Sequence, residues 1–471
     1  MDKDRIRKAL YERYIAPTEK NKENYIGIEI EMPVVNLSGK ATDFDITRAV
    51  TDSFCKKHGF EPVGIDSNGC CYSYTDPITG DNLSFDCSYN NMEFSFGKEI
   101  SLNAIWERFS GYITELNEKL LVQGHILTGM GINPGHKVNR KEFLPVPRYQ
   151  MLEGYLKRAA DWKYPMYFHP YHYFATYACA SQVQLDVKKD DLIKTIKAFS
   201  LLEPIKSLLF ANAWMEEEPD NLCVRDMFWE NSTHSINPHN IGMFEQIPEN
   251  IDELLEYISR TSIFCAERDG HYLHFKPIPV IEYFERETIE GEYYENGEYH
   301  AYTFTPEEDD IRLLRSYKFE DLTFRGTIEY RSGCCQPFSD AMSVAAFHIG
   351  LSSEVSKVIE LMEKDTVLYH HGYTAGELRK LMNGVKLPDF VDQTRLKHLC
   401  KKILELAKTG LKKRGFGEEI YLGPLFDRAC DLESPALKMI QGVEKGRTME
   451  DFIMEYASVK REIEPRKIKA C

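Results

Sequence analysis

The sequence predicts an α+β protein in which helices pack around an antiparallel β-sheet. Alternation of polar and apolar residues, the pattern of half-buried strands, recurs at well-separated places before residue 339. The clearest strand-like segments are 25–35, 82–96, 176–187 and 322–332. After residue 339, apolar residues recur at helical spacing, and Gly415 stands as a stop signal after one such run. We therefore expect a single catalytic domain over 1–471 whose C-terminal part, about 339–471, is mostly helical.

The remaining elements follow from the same periodicities. The helices expected before the C-terminal part are 1–20, 41–58, 103–121, 149–160, 189–212 and 250–266. Those expected within it are 339–364, 375–383, 393–413, 435–443 and 448–462. One more strand is expected at 125–134. The acidic stretch 286–310, rich in Tyr, Glu and Gly, predicts a surface excursion or a mobile loop.

Charge and composition exclude several classes of protein. The chain has 471 residues, of which 43% are hydrophobic, and a formal net charge of −16. Such a charge argues against nonspecific binding to nucleic acid or to anionic membranes. The N-terminus is too charged for a signal peptide, and no apolar run is long enough to span a membrane. We therefore expect a cytoplasmic protein without nucleic-acid or membrane partners.

The four strand-like segments share an unusual polar face. Its residues are Glu29 and Glu31 in the first segment, Asp86, Asn90, Asn91 and Glu93 in the second, Gln182, Gln184 and Asp186 in the third, and Glu329 and Arg331 in the fourth. One interpretation is the solvated face of a half-buried sheet. Solvated faces, however, usually mix lysine with the acids, and these have almost none. Neighbouring like charges on a sheet repel by roughly 0.2–1 kcal/mol per pair, so the acids favour bound cations.

Hard oxygen ligands without Cys or His favour Mg²⁺ or Mn²⁺, ions that usually bridge carboxylates to substrate phosphates. The common nucleotide-binding loops are absent from the sequence. There is no GxxxxGK[ST] motif, and Gly129, Gly131 and Gly135 do not have GxGxxG spacing. The prediction of a metal and phosphate site therefore depends on the acidic strand faces.

These segments resemble, in order and spacing, the glutamate–cysteine ligases of the plant and proteobacterial type. The matching segments include Tyr25 to Met32 (YIGIEIEM), Ser84 to Ser95 (SFDCSYNNMEFS), Pro147 to Met151 (PRYQM), Cys179 to Asp186 (CASQVQLD), Arg225 with Trp229, and Glu329 to Arg331 (EYR). The resemblance runs from about residue 20 to about residue 445. It implies a sheet curled into a funnel, a glutamine-synthetase-like catalytic fold that holds ATP, two or more Mg²⁺ ions and an acceptor acid.

The resemblance also assigns roles to residues. The metal ligands it implies are Glu29, Glu31, Asp86, Glu93 and Glu329. The residues it implies for nucleotide binding are Asn91, Gln182 and Arg331. Those it implies for gripping glutamate are Arg148, Arg225 and Trp229. Glu329 and Arg331 are the expected catalytic residues. The alternative for Arg148 and Arg225 is a surface salt bridge.

The activity implied is the ATP-dependent joining of the glutamate γ-carboxylate to the amino group of cysteine through an acyl phosphate, as in glutathione biosynthesis. The partners implied are ATP, glutamate and cysteine or another amine, with the protein a monomer or a homodimer. Two alternatives stay open. One is a related carboxylate–amine ligase of specialised or peptide metabolism, and the other is a non-catalytic protein that binds nucleotide or metal.

Three departures from the family pattern bear on the substrates. Asn240-Ile241-Gly242 stands where the family has Asp-Arg-Thr-Gly, so a basic residue is lost. Ile263-Phe264-Cys265 replaces a Met-Tyr-Phe triple near the substrate, and Cys334-Cys335 replaces a Gly/Ala-rich turn. Phe264 then either marks a changed amine site or is a core aromatic on the expected helix 250–266.

Overall fold

The computed structural model describes residues 1–20, 22–164 and 166–458. It confirms a mixture of helices and antiparallel sheet. The strands are β1 Ile26–Asn36, β2 Glu61–Ile65, β3 Cys71–Thr75, β4 Asn82–Phe85, β5 Asn91–Ser95, β6 His125–Leu127, β7 Ser181–Asp186, β8 Ile241–Gly242, β9 Ser262–Arg268, β10 His271–Pro279, β11 Ile289–Glu295, β12 Glu298–Phe304, β13 Tyr317–Lys318, β14 Glu320–Leu322 and β15 Thr327–Tyr330.

The helices surround these strands and dominate the C-terminal part. They are α1 Lys3–Leu10, α2 Phe44–His58, α3 Leu102–Val122, α4 Pro147–Lys157, α5 Lys189–Phe210, α6 Val224–Glu230, α7 Ile251–Ser259, α8 Val280–Tyr283, α9 Ser343–Ser352, α10 Val355–Glu363, α11 Ala375–Met382, α12 Gln393–Arg414, α13 Gly423–Asp431, α14 Pro435–Glu444 and α15 Met449–Ala457. No strand follows β15 in the described residues. The helix expected at 448–462 is α15, and residues 459–462 lie outside the described part.

A nine-stranded sheet holds strands from distant parts of the chain together. Its order is β14-β15-β7-β1-β5-β4-β3-β2, and β6 pairs with the far end of β1. Every pairing in it is antiparallel. Strand β1 is central because its eleven residues pair with β5, β6 and β7. The curling of this sheet into a funnel stays a prediction.

Alternation along the strands separates the two faces of this sheet. Ile28, Ile30 and Phe94 are almost fully buried in the main hydrophobic cluster, which also includes the inner faces of helices α3, α5, α9 and α12. Phe94 meets Phe109 of α3 edge to face, with ring centroids 5.5 Å apart. Helix α12 ends at Gly415, which has a positive φ of 78° and was predicted as its stop. Burial of the apolar face fixes the register, so the acidic residues must lie on the opposite face.

The region 250–310 differs from the prediction. The helix expected at 250–266 ends at Ser259, and Ser262–Arg268 is strand β9, which pairs with β10. The sequence analysis did not predict β10. Without a partner strand, the apolar residues of β9 fit the last turns of a helix equally well. Most of the stretch 286–310 is a hairpin of β11 with β12 over 289–304, which pairs with β10, rather than a loop. Its turn is Asn296-Gly297, both with positive φ, the strongest short hairpin signal in a sequence.

Two predicted strands are shorter than expected. The segment 125–134 contributes only β6, and 176–187 contributes β7 from Ser181 onward. Strands β2 and β3 were missed, since four of the five residues of β2 are exposed and show no burial alternation. No helix in the described part of the chain combines the length and apolar content that a membrane crossing requires.

Candidate active site

One cavity of about 850 Å³ lies between the polar face of the large sheet and the elements opposite it. Of the residues predicted for the site, those that line this cavity are Glu29, Glu31, Asp86, Glu93, Arg148, Gln182, Arg225, Trp229, Glu329 and Arg331. Asn91 is not among the lining residues. It lies beyond Glu93 on β5, opposite Pro33, and is buried. The structure thus brings together ten of the eleven predicted positions.

The strand registers place the carboxylates side by side. Glu31 of β1 is directly opposite Glu93 of β5, and Glu29 is opposite Gln182 of β7. Carboxylate oxygens of Glu31, Asp86 and Glu93 all lie within 4.8 Å of one another. The pairing of β1 with β5 places Glu31 next to Glu93. Asp86, the third member of the group, comes from the turn between β4 and β5.

Burial and crowding act on these acids in the same direction. Burial, reinforced by the charge of Glu329, raises the pKa of Glu29 to about 7. Burial and then the charge of Asp86 raise the pKa of Glu31 to about 8, and similar causes raise the pKa of Glu93 well above its usual value. The charges of Arg225 and Arg331 oppose this rise in the pKa of Glu31 but do not cancel it. A hard divalent cation fits it, because three oxygen donors converge without any sulfur or nitrogen ligand.

Two glutamines of β7 orient the carboxylates. Gln182 donates from Nε2 to Glu31 Oε1 at 3.0 Å, and the Ala180 amide donates to Glu31 Oε2 at 2.7 Å. Gln184 donates from Nε2 to Glu329 Oε1 at 2.9 Å and to Glu29 Oε1 at 3.2 Å. The sequence placed Gln184 on the polar face but assigned it no role. Its position between Glu29 and Glu329 is visible only once β15 is paired with β7.

Beside Glu29 on the polar face of the sheet, Glu329 is paired with an arginine. Arg331 forms an ion pair with Glu329 through a short hydrogen bond. Asp321 of β14 lies directly opposite Glu329, and burial raises its pKa to about 7, although the charge of Arg331 lowers it. Asp321 was not predicted, because β14 is a three-residue strand without a pattern of its own.

Arginine and aromatic side chains line the same cavity. Arg225, in the first turn of α6, is buried and donates from Nη1 to the Gly333 carbonyl at 3.2 Å. Trp229, one turn later, stacks on Tyr317 with ring centroids 4.6 Å apart. Arg148 lies in the first turn of α4, beside Tyr149, whose hydroxyl donates to Asp86 Oδ1 at 3.1 Å. No ion pair of the described residues engages Arg148 or Arg225, so the surface-salt-bridge alternative has no support.

Phe264 lines the same cavity from strand β9, not from a helix. It is 1% exposed, stacks on Tyr155 at 4.5 Å and meets His234 edge to face at 4.9 Å. It is therefore both a core aromatic and part of the cavity wall. Sequence analysis also missed Arg315, which lines the cavity from the irregular segment before β13, and Tyr317, which lines it from β13 itself. No local pattern marks them.

Known proteins resemble this chain in sequence and in fold. No family model matches the sequence. The chain is 24% identical over 343 residues to the chloroplastic glutamate–cysteine ligase of Brassica juncea, covering 69% of this chain and 60% of that protein. It is 25% identical over 330 residues to the enzyme of the same name from Nicotiana tabacum, covering 66% and 56%. The chain thus spans less than two thirds of the length of these curated relatives.

A solved structure extends the similarity to the fold. The crystal structure of glutamate–cysteine ligase from Francisella tularensis in complex with AMP aligns with a TM-score of 0.50 at 12% identity, covering 93% of this chain and 88% of that chain. At this identity the match concerns the fold alone. The resemblance predicted from the strand motifs is therefore confirmed: in sequence and in fold, this chain is similar to the glutamate–cysteine ligases.

Proposed function

We propose that the protein is an ATP- and Mg²⁺-dependent ligase that joins the γ-carboxylate of glutamate to the amino group of cysteine. The observation that carries the proposal is one cavity lined both by clustered carboxylates and by Arg148 and Arg225, which form no ion pair with the described residues. The similarity to named glutamate–cysteine ligases supports the choice of substrates. Glutathione biosynthesis is the corresponding pathway.

The reaction needs activation of the acid, because a carboxylate does not acylate an amine at neutral pH. In the proposed sequence, the γ-carboxylate attacks the terminal phosphorus of ATP, forming an acyl phosphate and releasing ADP. The amine then attacks the acyl carbon, loses a proton, and inorganic phosphate leaves. No covalent bond to the protein forms. The chain contributes positioning and neutralisation of charge on phosphoryl and carbonyl oxygens.

The polar face of the large sheet is proposed to hold the metal ions. Glu31, Asp86 and Glu93 form one group of ligands, and Glu29 with Glu329 a second, with Gln184 fixing the latter pair. When bound, Mg²⁺ supplies positive charge to the phosphate oxygens. Such a group of acids in a chain of net charge −16 repels free anions, so the metal and the arginines together admit anionic substrates.

Arg148 and Arg225 are proposed to hold the acid substrate. The planar guanidinium of Arg225 suits a carboxylate in a two-point contact, and Arg148 borders the same cavity. Trp229 covers the carbon chain of the substrate from one side. Arg331, already paired with Glu329, faces the phosphates and stabilises the charge that develops there.

The test is a screen of phosphate release with ATP, Mg²⁺ and pairs of amino acids, with products identified by mass. The proposal expects release that depends on both glutamate and cysteine, and trapping of a γ-glutamyl hydroxamate when hydroxylamine replaces the amine. Release with a different acid or amine would favour the related-ligase alternative. Nucleotide binding without any release would favour the non-catalytic one. The cytoplasmic location and the monomeric or dimeric state stay predictions.

A further inference from the structure

Arg315 is a cavity arginine that the proposed reaction has not yet used. It lies in the irregular segment between Leu314 and strand β13, is half-buried, and lines the cavity. Two other arginines of the cavity have carboxylate partners: Arg312 pairs with Glu267 and Asp309, and Arg331 pairs with Glu329. No ion pair of the described residues engages Arg315. A half-buried guanidinium without a carboxylate is suited to an anion that arrives from outside.

Cys265 and several aromatic residues line the cavity near Arg315. Burial raises the pKa of the Cys265 thiol to about 11, and the charges of Arg315 and then Arg148 partly oppose this increase. The same two arginines act in that order on Tyr317. Arg315 and Arg148 line the same cavity as Cys265 and Tyr317. Phe264 and Tyr272 also line it.

The position of Arg315 is set by a residue that departs from the family pattern. Asn240 stands in the segment where a basic residue is lost, and its Nδ2 donates to the Arg315 carbonyl at 3.4 Å and to the Ser262 carbonyl at 2.9 Å. Asn240 thus ties the Arg315 segment to the start of β9, which carries Phe264 and Cys265. The parallel pairing of β13 with β8 holds the same junction.

We infer that Arg315 binds the α-carboxylate of the amine substrate, so that the enzyme requires an amino acid rather than a simple amine. The inference rests on the proposed function. The phosphates are assigned to the acidic sheet face and Arg331, and the glutamate carboxylate to Arg148 and Arg225. An amino acid brings one more carboxylate, and Arg315, which lines the cavity together with Phe264 and Cys265, has no carboxylate partner among the described residues. The apolar surface of Phe264 and Cys265 beside it suits a short side chain such as that of cysteine.

The experiment compares cysteine with cysteamine, which has the same amine and thiol but no carboxylate, in the wild-type enzyme and in Arg315→Met. We expect the preference for cysteine, as a ratio of kcat/KM values, to fall by about tenfold to a hundredfold in the variant, because a charged hydrogen bond is lost. The KM values for ATP and glutamate should change by less than about threefold, since their ligands are untouched.

Arg260→Met is the control, because Arg260 is exposed, pairs with Glu256 and is not among the residues that line the cavity. Its cysteine preference should equal that of the wild type. Arg315→Lys keeps the charge without the planar fork, so an intermediate preference is expected, and it serves if Arg315→Met does not fold by circular dichroism. An equal loss for both amines in the variants, or a selective rise in the KM for ATP, would overturn the inference.

The experiment distinguishes failure of this inference about Arg315 from failure of the proposed ligase function. If the wild type prefers a different amino acid, the same comparison uses that amino acid and its decarboxylated form. A wild type that prefers the decarboxylated amine contradicts the role of Arg315 and leaves the ligase intact. If no pair supports turnover, the ligase proposal fails, and calorimetric titration of cysteine and cysteamine into wild type and Arg315→Met still decides: selective loss of cysteine binding supports the role, and equal binding refutes it.

Discussion

Arg379 grips Asp226 at two points, from Nε to Oδ2 at 2.7 Å and from Nη2 to Oδ1 at 3.0 Å. The same guanidinium donates to Glu203 Oε2 at 2.6 Å and to the Ser332 carbonyl at 3.3 Å. Asp226 follows Arg225, and Ser332 follows Arg331. One buried cation thus fixes, from behind, the two segments that carry these cavity arginines.

Replacing Arg379 by methionine should therefore destabilise the fold strongly. The change leaves the buried carboxylates of Asp226 and Glu203 without this partner, and breaking a buried pair typically costs about 3–5 kcal/mol. Urea unfolding followed by circular dichroism measures the loss in free energy of unfolding. The neighbouring Lys380→Met is the control, because its pair with Glu230 is exposed on the lysine side and should contribute less than about 1 kcal/mol. An equal loss of unfolding free energy in the two variants would contradict a large contribution of the buried ion pairs to stability.

Metal dependence is the next expectation. Chelation of divalent ions should abolish ATP turnover, and Mg²⁺ or Mn²⁺ should restore it. Glu29→Gln or Glu329→Gln should lower the rate by at least about a hundredfold, because metal-bound charge stabilisation contributes several kcal/mol. Glu61→Gln, on the exposed strand β2, is the control and should leave the rate unchanged. Normal turnover in both cavity variants would remove these residues from the metal site.

Arg225→Ala tests the site for the acid. Loss of a charged hydrogen bond costs about 1.5–3 kcal/mol, so the KM for glutamate should rise by roughly tenfold to a hundredfold. The KM for ATP should change much less. Steady-state kinetics with each substrate varied in turn separates the two. Arg260→Ala removes an exposed arginine that pairs only with Glu256 of its own helix, and neither KM should move. A rise confined to the KM for ATP would assign Arg225 to the nucleotide instead.

The choice of amine side chain is expected to be looser than in a strict cysteine ligase. Phe264 offers no hydroxyl to the substrate, and the loss of one neutral hydrogen bond amounts to about 1 kcal/mol. That is enough to change preference and too little to stop catalysis. Competition between cysteine and other amino acids, with glutamate and ATP fixed, measures it. A preference for cysteine above a hundredfold over every other amino acid tested would refute the relaxed choice.

Most of the site residues that could be predicted follow from the alternation of side chains along strands. Glu29 and Glu31, or Gln182 and Gln184, share a face for a purely local reason, so the acidic wall was visible before any pairing was known. The same is not true of Arg315 or Asp321. They reach the cavity through short strands that have no pattern of their own: β14 has three residues, and the two-residue β13 pairs with β8, which is distant in sequence.

The errors have equally specific causes. Phe264 was placed on a helix because an apolar run of this length fits either period, and only its pairing with β10 decides. The hairpin at 289–304 was overlooked although Asn296-Gly297 marks its turn, because acidic composition was given more weight than turn chemistry.

The order of strands in the large sheet also constrains how the protein is made. Strand β7 lies between β1, which precedes it in the chain, and β15, which follows it by more than a hundred residues. While the nascent chain is still incomplete, β7 is an unprotected edge that exposes its backbone N–H and C=O groups to other chains. Helices α5 to α8 and the hairpin must be translated before β15 covers it. We therefore expect fragments that stop before Glu320 to aggregate, and assembly of the complete sheet to be a slow, late step of folding.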